Sequence, residues 1–158
     1  MKRSLAAVLA FSLVLLTGCG DKEVSATADN LPTVTANMGE APTIGAPSGT
    51  PPTTLVTKDI IVGEGAEAQP TSTMTVHYSL MTWSNGALIQ SSWNSGSPAT
   101  FPLANVIIGW QQGIPGMKVG GRRLLVIPPD IGYGAQGSAP DIGPNETLIF
   151  VVDAIGVA

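Results

Sequence analysis

Glycine and proline set the tightest limit on how this chain can fold: 19 of one and 13 of the other, 32 of 158 residues, scattered without period. The density is too high for a helical bundle, because each costs about 1 (Gly) or 3 (Pro) kcal/mol in a helix interior. It is too irregular for a collagen repeat. Short strands and turns are left. From Thr73 to Leu80, Met74, Val76, Tyr78 and Leu80 alternate with Thr73, Thr75, His77 and Ser79, the pattern of a half-buried strand. Ser84-Asn85-Gly86 marks a hairpin turn, and Ala87 to Trp93 returns as a second strand. Thr54 to Thr57 and Ile60 to Val62 read as early strand, Phe101 to Leu103 as a short one, and Arg122 to Ile127 as one stopped by Pro128-Pro129. Thr147 to Ile155 is almost continuously apolar, which predicts a strand central in its sheet. Val106-Ile107-Ile108 and Trp110 precede the only plausible helix, which ends near Met117 and is kept short by Gly113, Pro115 and Gly116. The expected class is α+β, a mostly antiparallel sheet with one short helix against it.

The N-terminus reads as an address. Lys2 and Arg3 precede an apolar run from Leu5 to Leu16, too short to cross about 30 Å of hydrocarbon as a helix. A charged start, a short apolar run and small residues form an export signal. The run ends Leu16-Thr17-Gly18-Cys19, which looks like a bacterial lipobox, with the only Cys of the chain at the lipidation position. Residues 1–18 are therefore expected to be a lipoprotein signal peptide. The mature protein would sit outside the cytoplasmic membrane, anchored through Cys19. Two or three acyl chains hold lastingly where one does not. Residues 19–52, rich in Thr, Ala, Pro and Gly and without an aromatic residue, are expected to be a disordered linker. As a flexible coil it would span roughly 30–35 Å. One domain, residues 53–158, follows.

Charge and composition exclude several functions. The formal net charge is −4, and losing Lys2 and Arg3 from seven cations against eleven acids would make it −6. Nucleic-acid affinity needs clustered cations, which are absent. One Cys and one His leave no disulfide framework and no Cys/His zinc site. Gly63 to Ala68 fits the loose dinucleotide pattern GxGxxA, but Gln69-Pro70 cannot continue the helix that pattern requires, so the segment reads as a turn. His77 lies on the polar face of its strand with no nucleophile motif beside it, and reads as structural. Arg122-Arg123 reads as a strand start with solvated ends.

The remaining candidates are apolar and aromatic residues near loops. Thr75-Val76-His77-Tyr78, Asn85-Gly86, Ser91-Ser92, Val106-Ile107-Ile108-Gly109-Trp110-Gln111-Gln112-Gly113, Met117 to Arg123, Ile127 to Gly134 and Leu148-Ile149-Phe150-Val151-Val152 follow in one order. From about Thr53 to Ala158 the chain resembles the FK506-binding (FKBP) family of peptidyl-prolyl cis-trans isomerases. The resemblance implies a twisted antiparallel half-barrel wrapped around one short helix, and an apolar pocket between the two. It implies Trp110 as the pocket floor under a substrate proline, with Tyr78, Val106, Ile107 and Phe150 as walls. It also implies that the Ile107 amide and the Tyr133 hydroxyl hold substrate carbonyls, and that Ile142 lies in a closing flap from Ser138 to Pro144. No metal or cofactor is implied. The implied partners are unfolded, proline-containing exported chains, with no nucleic acid, and the protein is expected to be a monomer.

Three positions depart from the family pattern. Ile89 stands where a Phe is usual, Gln90 where an Asp is usual, and Ala99 where another pocket aromatic is usual. The stretch between Phe101 and Val106 is also about two residues short of that pattern. A wider, less aromatic pocket is expected, with weakened catalysis and weakened macrolide binding, and Ile89 and Gln90 are expected to touch substrate. A peptide-binding chaperone module that keeps the fold without the rate enhancement is the alternative.

Overall fold

The computed structural model describes residues 30–158. The signal peptide and the lipidation position Cys19 lie outside the described residues. Six strands, β1 (Val56–Ile61), β2 (Thr73–Thr82), β3 (Leu88–Ser91), β4 (Ala99–Pro102), β5 (Arg122–Ile127) and β6 (Leu148–Val157), form one sheet, and α1 (Ile108–Gly113) is the only α-helix among the described residues. The order is β1-β5-β6-β2-β3, every pairing antiparallel, with β4 also on β2. β4 pairs with Thr73–Val76 and β3 with Ser79–Met81, so both share one edge of β2. The expected α+β class and the antiparallel sheet around a short helix are what the structure has.

Alternation decides which side chains meet. On the inner face, Met74, Val76, Leu80, Leu125, Ile127, Leu148, Phe150 and Val152 pack with Trp110, Ile114 and Met117 of the α1 region. The helix begins at Ile108, ahead of the expected start, and stops at Gly113, before Pro115, short of the expected end near Met117. Gly109 lets it lie close to the sheet: a Cβ there would stand 2.7 Å from Ile127 Cδ1. Arg123 fixes its far end. Nη1 donates to the carbonyls of Gly113 (2.9 Å) and Pro115 (3.3 Å), while Nε donates to Asp59 of β1 at 2.6 Å.

The outer face is also apolar, and this corrects the linker expectation. Met81, Trp83, Leu124, Val126, Ile149 and Val151 form a second cluster, covered by Leu31, Val34 and Ile44. From Leu31 onward the segment read as a disordered linker is laid against the sheet, pinched by a bridge between Val34 and Ile44. Trp83 Nε1 donates to the Gly49 carbonyl at 3.3 Å. Burial of both sheet faces supplies what the segment's own composition does not.

Arg122 corrects a second expectation. It is fully buried instead of solvated, and donates from Nε to Asp153 Oδ1 at 2.6 Å and from Nη2 to Oδ2 at 2.7 Å. Its remaining donors reach the carbonyls of Thr35 (2.8 Å) and Glu40 (2.7 Å) in the covering segment. A buried charge needs a partner and hydrogen bonds, and Arg122 has a counterion and four hydrogen bonds. Residues 63–68 form the connection after β1, as the turn reading expected, with the Gly65 and Ala68 amides bonded to Val119 and Met117 carbonyls.

Candidate functional site

The site is a cavity of about 450 Å³ between α1 and the inner face of the sheet. The strand period brings Tyr78 and Leu80 of β2 and Phe150 of β6 to it, since Tyr78 stands opposite Val152 and Leu80 opposite Phe150 in the ladder. The turn before α1 supplies Asn105, Val106 and Ile107, and the first turn of the helix supplies Trp110. Gln90 of β3 and Tyr133, from the loop after β5, stand at the rim. Of the expected residues, Tyr78, Gln90, Val106, Ile107, Trp110, Tyr133 and Phe150 therefore meet at one cavity.

Its base is a cage of rings. Trp110, 4% exposed, has Phe150 at 5.3 Å, Tyr78 at 5.9 Å and Phe101 at 6.1 Å, with interplanar angles of 85°, 85° and 88°. Edge-to-face rings at such spacings attract beyond their area burial. Trp110 Nε1 has no hydrogen-bond partner and is the one such buried side-chain atom among the described residues. An orphan donor of this kind costs about 1–3 kcal/mol.

Phe101 was missed as a site residue and read only as strand. It lies on β4 opposite Met74, on the face that points to the helix, and its ring returns part of the aromatic surface expected to be lost at Ala99. The signal was its two-residue offset from Ala99, which puts both on one face of a strand. Leu80 and Asn105 were also missed.

Tyr78 is the titratable group that burial alters here. Its hydroxyl is pushed above the ordinary phenol range by desolvation first and by the nearby Tyr133 phenol second. It is therefore a neutral hydroxyl across the physiological range. Its backbone is fixed from the edge: the Tyr78 amide donates to Ser92 Oγ at 2.9 Å, and the same oxygen lies 3.0 Å from His77 Nδ1. The His77 ring stacks on Trp93 with centroids 3.9 Å apart. His77 is thus held as the structural residue its strand face suggested. Ser92 ends β3 and opens a 3-10 turn, which explains why that strand is shorter than Ala87 to Trp93.

Ile89 and Ile142, both expected at the substrate site, line a side chamber of about 210 Å³ instead of the main cavity. The chamber lies between β3 and the loop preceding β6. It shares Leu80, Gln90 and Tyr133 with the main cavity, so the two are neighbours. Ile142 is buried, and its amide and carbonyl close a two-bond bridge with Ser138.

Residues 64–155 match the family described as FKBP-type peptidyl-prolyl cis-trans isomerase. The chain is 50% identical to a probable FK506-binding protein of Corynebacterium glutamicum over 116 residues, covering 73% of this chain and 98% of that one. It is 47% identical to an FK506-binding protein of Streptomyces anulatus over 121 residues, covering 75% and 98%. Among solved structures it is similar to FkpA from Escherichia coli, with a TM-score of 0.61 and 37% identity over 65% of this chain and 47% of that one.

Proposed function

The chain belongs to the FKBP-type peptidyl-prolyl cis-trans isomerase family, and from that premise we propose that the ring cage over Trp110 is where it turns X–Pro bonds of unfolded, exported proteins. Amide resonance gives an X–Pro bond a barrier of about 18–20 kcal/mol, and exchange without help takes tens to hundreds of seconds. The twisted transition state has lost that resonance and carries less charge on its carbonyl oxygen than the planar amide. Water hydrogen-bonds the planar amide best, so a dry apolar cavity lowers the barrier relative to water. The proline ring rests on Trp110 between Tyr78 and Phe150. The Ile107 amide and the Tyr133 hydroxyl hold the flanking carbonyls while the bond turns. A thousandfold acceleration requires only about 4 kcal/mol.

The observation that carries this reading is the right-angled packing of three rings around a nearly buried indole at the base of an open cavity. The test is isomerisation of proline-containing tetrapeptides by the protein, beside Trp110→Ala and the milder Trp110→Phe. Acceleration that falls in both folded variants supports the site. A folded protein that accelerates no peptide in the series overturns it.

A second reading, a peptide-binding chaperone with little turnover, is favoured by one feature: Gln90 at the rim carries no charge where the family pattern has a carboxylate. The same feature and Ala99 underlie a weak affinity for macrolides. Location is part of the proposal. Lys2-Arg3, the apolar run and Leu16-Thr17-Gly18-Cys19 support a lipoprotein held at the outer side of the cell membrane. A lipid label carried by the wild-type chain and lost in Cys19→Ala would support the anchor. Label retained by the variant would remove it.

A further inference from the structure

The side chamber is where this protein distinguishes one substrate from another. Three observations converge on it. First, it adjoins the main cavity, with Leu80, Gln90 and Tyr133 lining both, so it lies within reach of a residue next to a seated proline. Second, its rim is polar, with Gln90, Ser138 and Asp141 beside Ile89 and Ile142, and Asp141 is exposed. Third, the charge around it is one-sided. Between Glu67 and Lys118 the chain has no Asp, Glu, Lys or Arg across fifty residues, and these include β2, β3, β4 and α1. The loop from Pro128 to Thr147 carries Asp130, Asp141 and Glu146 and no cation. Glu146 is turned to Ser84, which donates its amide at 3.0 Å and its hydroxyl at 2.7 Å, and Asp130 lines a different cavity. Among the described residues, Asp141 is thus the only charged side chain lining either the main cavity or the chamber.

The geometry points to Asp141 as a specificity-determining residue that favours a lysine or arginine directly flanking the substrate proline. The long aliphatic stem of such a side chain fits against Ile89 and Ile142, and its cationic head meets Asp141 at the exposed end. Among the described residues, no cation lines the chamber to compete for that carboxylate. The replacement of the usual rim carboxylate by Gln90 leaves the negative charge on the flap side alone, which makes the preference directional. The inference rests on the proline being seated over Trp110.

The test compares kcat/KM for two tetrapeptide series, one varying the residue before proline and one the residue after it, each with lysine, norleucine and glutamate. Norleucine keeps the stem and removes the charge. An exposed ion pair gives about a 2–5-fold advantage of lysine over norleucine in at least one series, with glutamate below both. Asp141→Asn, or half-molar salt, brings lysine down to norleucine. Asp141→Lys reverses the order of lysine and glutamate, and Asp130→Asn leaves the preference in place.

Lysine no better than norleucine on both sides overturns the inference. So does a preference that survives Asp141→Asn, or one that Asp130→Asn abolishes equally. If no peptide is accelerated, the catalytic reading fails separately. Binding of the same peptides, followed by tryptophan fluorescence, then judges the basic preference by the same criteria.

Discussion

Arg122 and Asp153 stand opposite each other across β5 and β6, joined by two hydrogen bonds of 2.6 and 2.7 Å and both almost completely buried. The pair ties the sheet to the segment in front of it, since the same guanidinium holds the Thr35 and Glu40 carbonyls. Breaking one side leaves a buried charge without its counterion. Asp153→Asn should lower unfolding free energy by about 3–5 kcal/mol, read from urea denaturation. A protein beginning at residue 53 should lose stability as well and bind a hydrophobic dye through the uncovered Trp83, Val126 and Ile149. Equal stability with and without residues 30–52 would mean the segment is only resting on the sheet.

Arg123 should position the helix that carries Trp110. Arg123→Met removes two hydrogen bonds to the helix end and leaves Asp59 without its partner. A loss of about 1–2 kcal/mol is expected, because hydrogen bonds from a charged donor are worth more than neutral ones. A fall in kcat/KM should accompany it, and Arg123→Lys should recover part of both. Unchanged activity in the methionine variant would show that α1 holds its place without this cap.

Tyr78 should ionise above the ordinary phenol range. The chain has two tyrosines, so absorbance near 295 nm in Tyr133→Phe follows Tyr78 alone. Burial is the larger cause and the Tyr133 phenol the smaller, so the variant should keep most of the rise. The sign follows from linkage: a raised folded-state pKa means the neutral form is favoured on folding. That stabilisation is complete below about pH 10 and is lost as pH climbs through the raised value. A Tyr78 that titrates like a free phenol would argue that the cavity is wet.

Gln90→Asp should raise kcat/KM by returning a charge to the rim, up to about tenfold if the carboxylate accepts a hydrogen bond from a pocket hydroxyl. Combination with Ile89→Phe should add to the gain and tighten macrolide binding. The new charge should also lift the Tyr78 titration further. No gain in rate from either change would count against the proposed effect of these departures.

Trp110 should separate function from stability. Trp110→Ala opens a large cavity and should cost about 3–5 kcal/mol. Trp110→Phe loses volume but also removes the orphan indole donor, so the two effects oppose and the net change should stay within about 1 kcal/mol. Its isomerase rate should fall nonetheless. A phenylalanine variant as damaged as the alanine one would mean that Nε1 is satisfied by water in solution.

What could be read beforehand follows the range of the interactions. The alternation in Thr73 to Leu80 and the continuous run in Thr147 to Ile155 are local patterns with one tertiary solution each, and they place Tyr78 and Phe150 on the helix side. Arg122 to Ile127 matches the observed strand end for end, because Gly120-Gly121 and Pro128-Pro129 punctuate it. The fate of Arg122 was not legible in the same way. Its partner lies 31 residues on, and the carbonyls it holds lie more than 80 residues back, so only the sheet register brings them together. The covering segment was hidden for a related reason, since its attachments are main-chain carbonyls and three aliphatic side chains. Its cue lay elsewhere, in β5 and β6, whose apolar residues on both faces demand two covering layers when α1 can supply only one. Phe101 escaped notice because a four-residue strand gives too little period to assign a face.

The docking of the covering segment also changes the protein's working radius. A leash that ran freely to residue 52 would let the proposed pocket sweep a broad shell around an anchor at Cys19. With Leu31 packed on the sheet, no more than twelve peptide steps separate the proposed anchor from the folded body. At about 3.3–3.6 Å per step they reach roughly 40 Å at full stretch. A lipidated form would be confined to clients within a few nanometres of the bilayer, those still emerging from it.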